Sequence, residues 1–133
     1  MKPVTKQDWI DALRSGEFKQ GTRVLAKRDP KTGTTSYCCL GVLATIAGVG
    51  AQVRDADDPA ARSMLFDFDD NTKAYGIIPE AYRNIIVSDL NLSTLVAVPG
   101  RPGSDVELVG ILSNKNDSGA TFEDIATYLE ELA

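Results

Sequence analysis

The sequence predicts an α+β fold, with four or five helices packed on a small, mostly antiparallel sheet and a hairpin in the N-terminal half. Several segments place apolar residues at helical spacing behind a capping residue, and short β-branched segments are bounded by turn residues. The 133 residues are 43% hydrophobic and 25% charged, which is an ordinary globular composition. A chain of this length predicts a single domain over residues 1–133.

The N-terminal segment predicts a helix. Thr5 can act as its N-cap, because a threonine hydroxyl accepts a hydrogen bond from an orphan N–H of the first turn. Trp9 and Leu13 follow at helical spacing, and Ser15-Gly16 supplies a stop signal.

A hairpin and a second helix are predicted next. Residues 22–26 and 34–37 are candidate strands, and residues 29–33 between them contain the proline and glycine that tight turns need. Ser36 is a candidate N-cap for a helix over residues 37–47. Nearly all side chains of that helix are apolar or small, which predicts a position in the core.

The middle of the chain is the least regular part, and residues 50–75 receive no firm assignment. Residues 49–53 and 64–68 are candidate strands, and an acidic loop separates them. Pro79 is typical of the first position of a helix, and the apolar residues within 82–86 would form its buried side.

The C-terminal third predicts one more strand and two helices. Residues 95–98 form a candidate strand. Ser104 and Glu107 have the spacing of a capping box, which predicts a helix that begins there. Residues 116–119 are then expected to form a turn, and Thr121 is expected to cap the last helix.

Charge and sequence composition exclude several function classes. A net charge of -5 argues against binding of duplex DNA, which depends on Lys and Arg contacts to phosphates. The chain has no histidine, so Ser-His-Asp and Cys-His catalysis and histidine-ligated zinc are excluded. Residues 17–35 are predominantly basic and residues 36–80 predominantly acidic. Such opposed patches suit contacts with a partner protein or a homo-oligomer.

The sequence also predicts a cytoplasmic protein without a membrane segment. Cys38 and Cys39 are adjacent and offer no disulfide framework, which indicates a reducing compartment. The N-terminal residues lack the apolar run of a signal peptide, and residues 40–49 are too few to cross a bilayer.

Two kinds of reactive site remain as candidates for an enzyme. Cys38 and Cys39 are reactive-thiol candidates, because the N-terminus of the predicted helix would stabilise a thiolate, although buried structural cysteines are the favoured interpretation. The carboxylates of residues 67–70 could bind a divalent ion, but the sequence does not fit an EF-hand, since Thr72 and Ile78 stand where Gly and Glu are needed. We therefore predict no metal site and no other cofactor.

Candidate ligand-binding residues fall into two groups. Aromatic side chains could stack on a small ligand, and cations with polar turn residues could bind an anion. The aromatic candidates are Trp9, Phe18 and Tyr37, and the polar candidates are Arg23, Lys27, Asn116, Asp117, Ser118 and Gly119. The alternative for Trp9 and Phe18 is that both are core residues, and this alternative is favoured.

Residues 37–43, which read YCCLGVL, resemble a segment of a family of small proteins carried by bacteriophages, prophages and related mobile elements. The resemblance extends to Trp9, Leu13 and Gly16, to Ile78-Pro79, and to residues 116–126. It implies a mobile-element origin and a cytosolic setting, and it implies no reaction.

These observations predict an accessory protein that acts by binding a host protein or a small anionic metabolite. A nucleotide signal captured as a countermeasure to host defence is one version of this hypothesis. The alternatives are a small enzyme that uses Cys38, Cys39 or a carboxylate-bound metal, and a homo-oligomeric interaction module.

Overall fold

The structure is a computed structural model that describes residues 4–22, 25–28, 32–48, 51–55, 64–67, 73–74, 87–97, 103 and 105–132. Within this part of the chain the helices are α1 (Lys6–Arg14), α2 (Cys39–Ala47), α3 (Leu108–Asp117) and α4 (Phe122–Glu131). The strands are β1 (Lys19–Gln20), β2 (Ala26–Arg28), β3 (Thr35–Tyr37), β4 (Ala51–Asp55), β5 (Met64–Asp67), β6 (Lys73–Ala74), β7 (Leu95–Ala97) and β8 (Asp105–Glu107). The predicted α+β class is confirmed.

The strands form three small sheets, in which antiparallel pairing predominates. In the first sheet, of order β1-β3-β2, β2 and β3 form the predicted antiparallel pair, but β2 occupies residues 26–28 and not 22–26; β1 pairs in parallel with β3. The second sheet has the order β4-β5-β6 and the third is the β7–β8 hairpin. Strand β1 was not predicted, because a strand of two residues leaves no alternation to detect.

Helices α1 and α4 begin where the sequence predicts. The Thr5 hydroxyl accepts a hydrogen bond of 3.0 Å from the Asp8 N–H, and the Asp8 carboxylate accepts one from the Thr5 N–H. Thr121 and Asp124 form the same reciprocal pair at the start of α4. Both predicted N-caps are therefore confirmed as complete capping boxes.

Helix α2 occupies the core, as predicted, but it begins later than predicted. Its N-cap is Cys38, whereas Ser36 lies in β3, where its hydroxyl faces the Lys27 carbonyl oxygen. The cap prediction was wrong because pairing of β3 with β2 keeps this segment extended. Gly48 ends the helix in the left-handed conformation at φ 67°.

The predicted capping box of Ser104 and Glu107 is also wrong. Residues 105–107 form β8, which pairs with β7, and α3 begins only at Leu108 without a side-chain cap. Helix α3 then continues to Asp117, so the turn begins two residues later than the predicted start at residue 116. Pairing with β7 stabilises the extended backbone of β8 more than one side-chain cap would stabilise an earlier helix start.

Several predictions in the middle of the chain can be compared only in part. The candidate strands 49–53 and 64–68 correspond to β4 and β5. The helix predicted at Pro79 and most of the acidic stretch lie outside the described residues.

One core joins the helices to the first sheet. Its largest fully buried side chains are Trp9, Ile10, Leu25, Leu40, Leu43, Leu92, Leu108, Leu112, Ile125 and Leu129. Helix α1 packs on α2 and α4, and α3 packs on α2 and α4. None of the helices in the described ranges combines the length and apolar character needed to cross a bilayer.

Candidate binding groove

The β7–β8 hairpin, α3 and α4 enclose an open groove of about 620 Å³. Its lining comprises Val96, Ala97, Val106, Gly110, Ile111, Asn114, Lys115, Ser118, Tyr128, Glu131 and Leu132. This volume lies within the range of roughly 300–1,000 Å³ that is typical of small-molecule sites. We call this cavity the hairpin groove.

Helix α3 supplies one side of the hairpin groove. Residues 110, 111, 114 and 115 recur at the spacing of a single helical face, and residue 118 follows where the helix ends. Gly110 helps to keep the space open, because a Cβ atom at this position would lie 3.3 Å from Val106 Cγ1. Any longer side chain at residue 110 would therefore extend between the helix and the hairpin.

The hairpin side of the groove is apolar. Val96 and Val106 face each other across the β7–β8 pair, and both line the cavity with Ala97. Val106 is 40% exposed on this side, whereas Leu95, which is 64% exposed, precedes Val96 in β7 and so projects from the other face of the hairpin. Exposed apolar surface beside a cavity is typical of a binding surface.

The polar side of the groove centres on Tyr128. The Lys115 ammonium lies over the Tyr128 ring, with Nζ 4.6 Å from the ring centroid. Burial raises the pKa of the Tyr128 hydroxyl. Glu131 lies one helical turn beyond Tyr128 and lines the same cavity.

Neither charged group of the groove forms an ion pair within 4.0 Å in the part of the chain that the structure describes, although the charge of Lys115 does act on the more distant Asp124 carboxylate. The ion pairs found there join Arg14 to Glu123 and Glu130, on the opposite side of α4. Lys115 contacts a ring and no carboxylate within 4.0 Å, and Glu131 contacts no cation within that distance. Among the described residues that line the groove, the charged side chains are therefore one cation, Lys115, and one carboxylate, Glu131.

The residues that the sequence singled out as ligand contacts do not converge on this groove, and among those that the structure describes only Ser118 lines it. Trp9 is fully buried, and its indole Nε1 donates a hydrogen bond of 3.0 Å to the Cys39 carbonyl oxygen. Stacking of a ligand on Trp9 is therefore a wrong prediction, and its favoured alternative, a core residue, is confirmed. Phe18 and Tyr37 are half-buried and pack edge to face, with ring centroids 5.3 Å apart.

The polar candidates are also dispersed. Lys27 is exposed on β2, and Arg23 lies outside the described residues. Asp117 and Gly119 are exposed at the end of α3. Asn116 is 1% exposed and faces the core, so it is a structural residue and does not contact solvent.

Asn116 joins four segments of the fold. Its side-chain oxygen accepts hydrogen bonds from the Cys39 N–H and from Gln20 Nε2, both at 3.1 Å. Its side-chain nitrogen donates to the Gly21 carbonyl oxygen at 2.8 Å. Gln20 in turn accepts a hydrogen bond from the Phe122 N–H at the start of α4. The network fixes the ends of α3 and α4 against β1 and α2.

Both cysteines are buried and free, which confirms the favoured interpretation. Burial raises the pKa of the Cys38 thiol to about 11 and the pKa of the Cys39 thiol well above its ordinary value. The Cys39 Sγ donates weakly to the Leu112 carbonyl oxygen at 3.6 Å. These surroundings favour the neutral thiol and oppose a nucleophilic role.

The whole chain, residues 1–133, matches the model of a family described as a domain of unknown function, DUF8296. The chain belongs to this family. No curated protein and no solved structure shows significant similarity to it.

A metal centre finds no support in the described part of the DUF8296 chain, where no three His, Cys, Asp or Glu side chains are grouped to hold an ion. The side chains of the acidic stretch 67–70 lie outside that part. Sequence reasoning missed Lys115, Tyr128 and Glu131. The spacing of residues 110–118 could have indicated a helix face with both apolar and polar residues. The sequence could not, however, predict that this face packs beside α4.

Proposed function

We propose that this DUF8296 chain acts by binding, and that the hairpin groove is its binding site. The observation that carries the proposal is the combination of an open cavity of about 620 Å³ with an apolar wall and two charged side chains, Lys115 and Glu131, that form no ion pair within 4.0 Å with another described residue. A cavity with mainly apolar walls and a few polar groups is the usual form of a ligand site.

The state of the nucleophilic candidates favours binding over catalysis. Cys38 and Cys39 are buried with raised pKa values, and the chain has no histidine to act as a base. General acid–base or nucleophilic chemistry requires an activated group within reach of the substrate. The hairpin groove contains neither thiol.

The occupant is either a small metabolite or an apolar segment of a host protein. Val106 of the groove is 40% exposed, and this apolar surface at the mouth of the cavity supports contact with a protein as well. The resemblance of residues 37–43 to phage and mobile-element proteins supports an accessory role in such an element.

The test uses a neutral apolar probe, N-phenyl-1-naphthylamine, whose fluorescence rises in an apolar site. The purified chain should give a saturable rise in fluorescence. The variant Gly110→Leu should lower the affinity by about tenfold or more, because its side chain fills the cavity that a ligand would otherwise enter. The matched control is Gln7→Leu, which places the same side chain on the exposed side of α1.

The outcomes separate a specific groove from general surface hydrophobicity. Loss of probe affinity in Gly110→Leu with retention in Gln7→Leu supports the proposal. Equal affinity in both variants, or no saturable binding to the unmodified chain, contradicts it. Circular dichroism and thermal unfolding of all three proteins establish that each is folded.

A further inference from the structure

We propose that the occupant of the hairpin groove is a small zwitterion with an apolar body, and that an aromatic α-amino acid is the simplest member of this class. The inference rests on the proposed function, because it assumes that the groove binds a ligand. It adds which charges and which apolar group the ligand must carry.

The first argument concerns the cation. Lys115 is held over the Tyr128 ring at 4.6 Å, which fixes its ammonium group inside the groove rather than in bulk solvent. The ring contact does not use the N–H donors on the far side of the ammonium group, so they can donate to an acceptor in the groove. An anionic group on the ligand would supply them.

The second argument concerns the carboxylate. Glu131 lines the same cavity and lies three residues after Tyr128, so both side chains emerge from one face of α4. A ligand with negative charge alone would meet repulsion from Glu131. A ligand with positive charge alone would meet repulsion from Lys115. A zwitterion avoids both costs and satisfies both groups.

The third argument concerns the remainder of the lining. Val96 and Val106 supply an apolar wall on the hairpin, and Ile111 adds apolar surface one turn before Lys115 on α3. This separation of apolar and charged surface matches a molecule with an apolar side chain at one end and both charges at the other. A nucleotide with several phosphates would face a single lysine accompanied by a glutamate, which is poor charge complementarity.

The experiment compares three ligands that share one side chain. L-Phenylalanine carries both charges, N-acetyl-L-phenylalanine carries only the carboxylate, and L-phenylalanine amide at pH 6 carries only the ammonium group. Each is titrated into the ¹⁵N-labelled chain, and the dissociation constants are obtained from shifts of the backbone amides. The zwitterion should bind about threefold or more tightly than either analogue, as is expected for partly exposed ion pairs.

Two variants assign the charges. Lys115→Gln should abolish the preference for phenylalanine over its amide and leave the preference over N-acetyl-phenylalanine. Glu131→Gln should do the reverse. Both positions are at the surface of helices and form no ion pair within 4.0 Å with another described residue, so the variants should fold.

The outcomes distinguish this inference from the proposed function. Equal affinity for the three ligands, an unchanged preference in both variants, or shifts confined to residues outside the groove would overturn the inference. If N-phenyl-1-naphthylamine binds in the groove and phenylalanine does not, the proposed function stands and the zwitterion fails. If neither probe binds there, both fail.

Discussion

Gly41 lies directly against the backbone of Leu25. A Cβ atom on Gly41 would lie 1.8 Å from the Leu25 carbonyl oxygen and 2.7 Å from its carbonyl carbon. The Cys38 N–H donates a hydrogen bond to the same Leu25 oxygen, which joins the start of α2 to the segment before β2. The glycine within the YCCLGVL segment therefore permits the contact between the core helix and the first sheet.

The first prediction concerns Gly41→Ala. Because the clash involves backbone atoms that no rotamer change can move, the variant should lose about 3 kcal/mol or more of unfolding free energy. The control is Gly110→Ala in α3, whose nearest neighbour is a movable side-chain methyl. Alanine has a better helix propensity than glycine by about 1 kcal/mol, and this gain should offset the close contact with the Val106 methyl group. Urea unfolding measures both, and equal stabilities would contradict the account.

The second prediction concerns the buried amide of Asn116. The variant Asn116→Ala leaves the Cys39 N–H and the Gly21 carbonyl oxygen without their side-chain partner. We expect a loss of about 2–4 kcal/mol in unfolding free energy, because buried polar groups lose their hydrogen bonds. Asn114→Ala, at an exposed position of the same helix, should change stability by less than about 0.5 kcal/mol. Similar losses in the two variants would show that the network is not stabilising.

The third prediction concerns the thiols. Because burial raises the pKa of Cys38 to about 11 and the pKa of Cys39 well above its ordinary value, little thiolate exists at neutral pH. Reaction with an aromatic disulfide reagent at pH 7.5 should be at least ~100-fold slower in the native chain than in guanidinium. One thiol that reacts at the same rate in both conditions would restore the reactive-cysteine hypothesis.

The fourth prediction concerns the capping box of α4. Hydrogen bonds from the Thr121 N–H and hydroxyl lower the pKa of Asp124 below 3.8, its ordinary value. A carboxylate whose pKa is lower in the folded than in the unfolded chain stabilises the fold fully above the unfolded-state pKa. This stabilisation is lost as the pH falls through the lowered, folded-state pKa. Asp124→Asn should therefore lower the melting temperature at pH 7 and have a smaller effect near pH 2.5. An effect independent of pH would contradict an ionised cap.

Local signals in the sequence were sufficient for some elements. Thr5 and Thr121 predicted the starts of two helices, since a capping box depends only on residues three positions apart. Ser104 and Glu107 have the spacing of a capping box, but residues 105–107 form β8, because their conformation depends on pairing with β7. A local pattern cannot report a partner that is distant in sequence.

The candidate site was mostly beyond sequence reasoning for the same reason. The hairpin groove joins residues of β7, β8, α3 and α4, and only their packing makes Lys115, Tyr128 and Glu131 neighbours. The sequence instead drew attention to Trp9, which packs in the core, and to Asn116, which holds the network together. Large aromatic and amide side chains are conspicuous in a sequence whether they bind ligands or stabilise the fold.

The central claim is that the hairpin groove is a binding site, and the most direct measurement locates a bound probe. The ¹⁵N-labelled chain is titrated with N-phenyl-1-naphthylamine, and the shifts of backbone amides are mapped. The account predicts the largest shifts at residues 96–97, 110–118 and 128–132, and their loss in Gly110→Leu but not in Gln7→Leu. Shifts centred on β1, β3 and the Phe18–Tyr37 pair, or shifts that persist unchanged in Gly110→Leu, would contradict it.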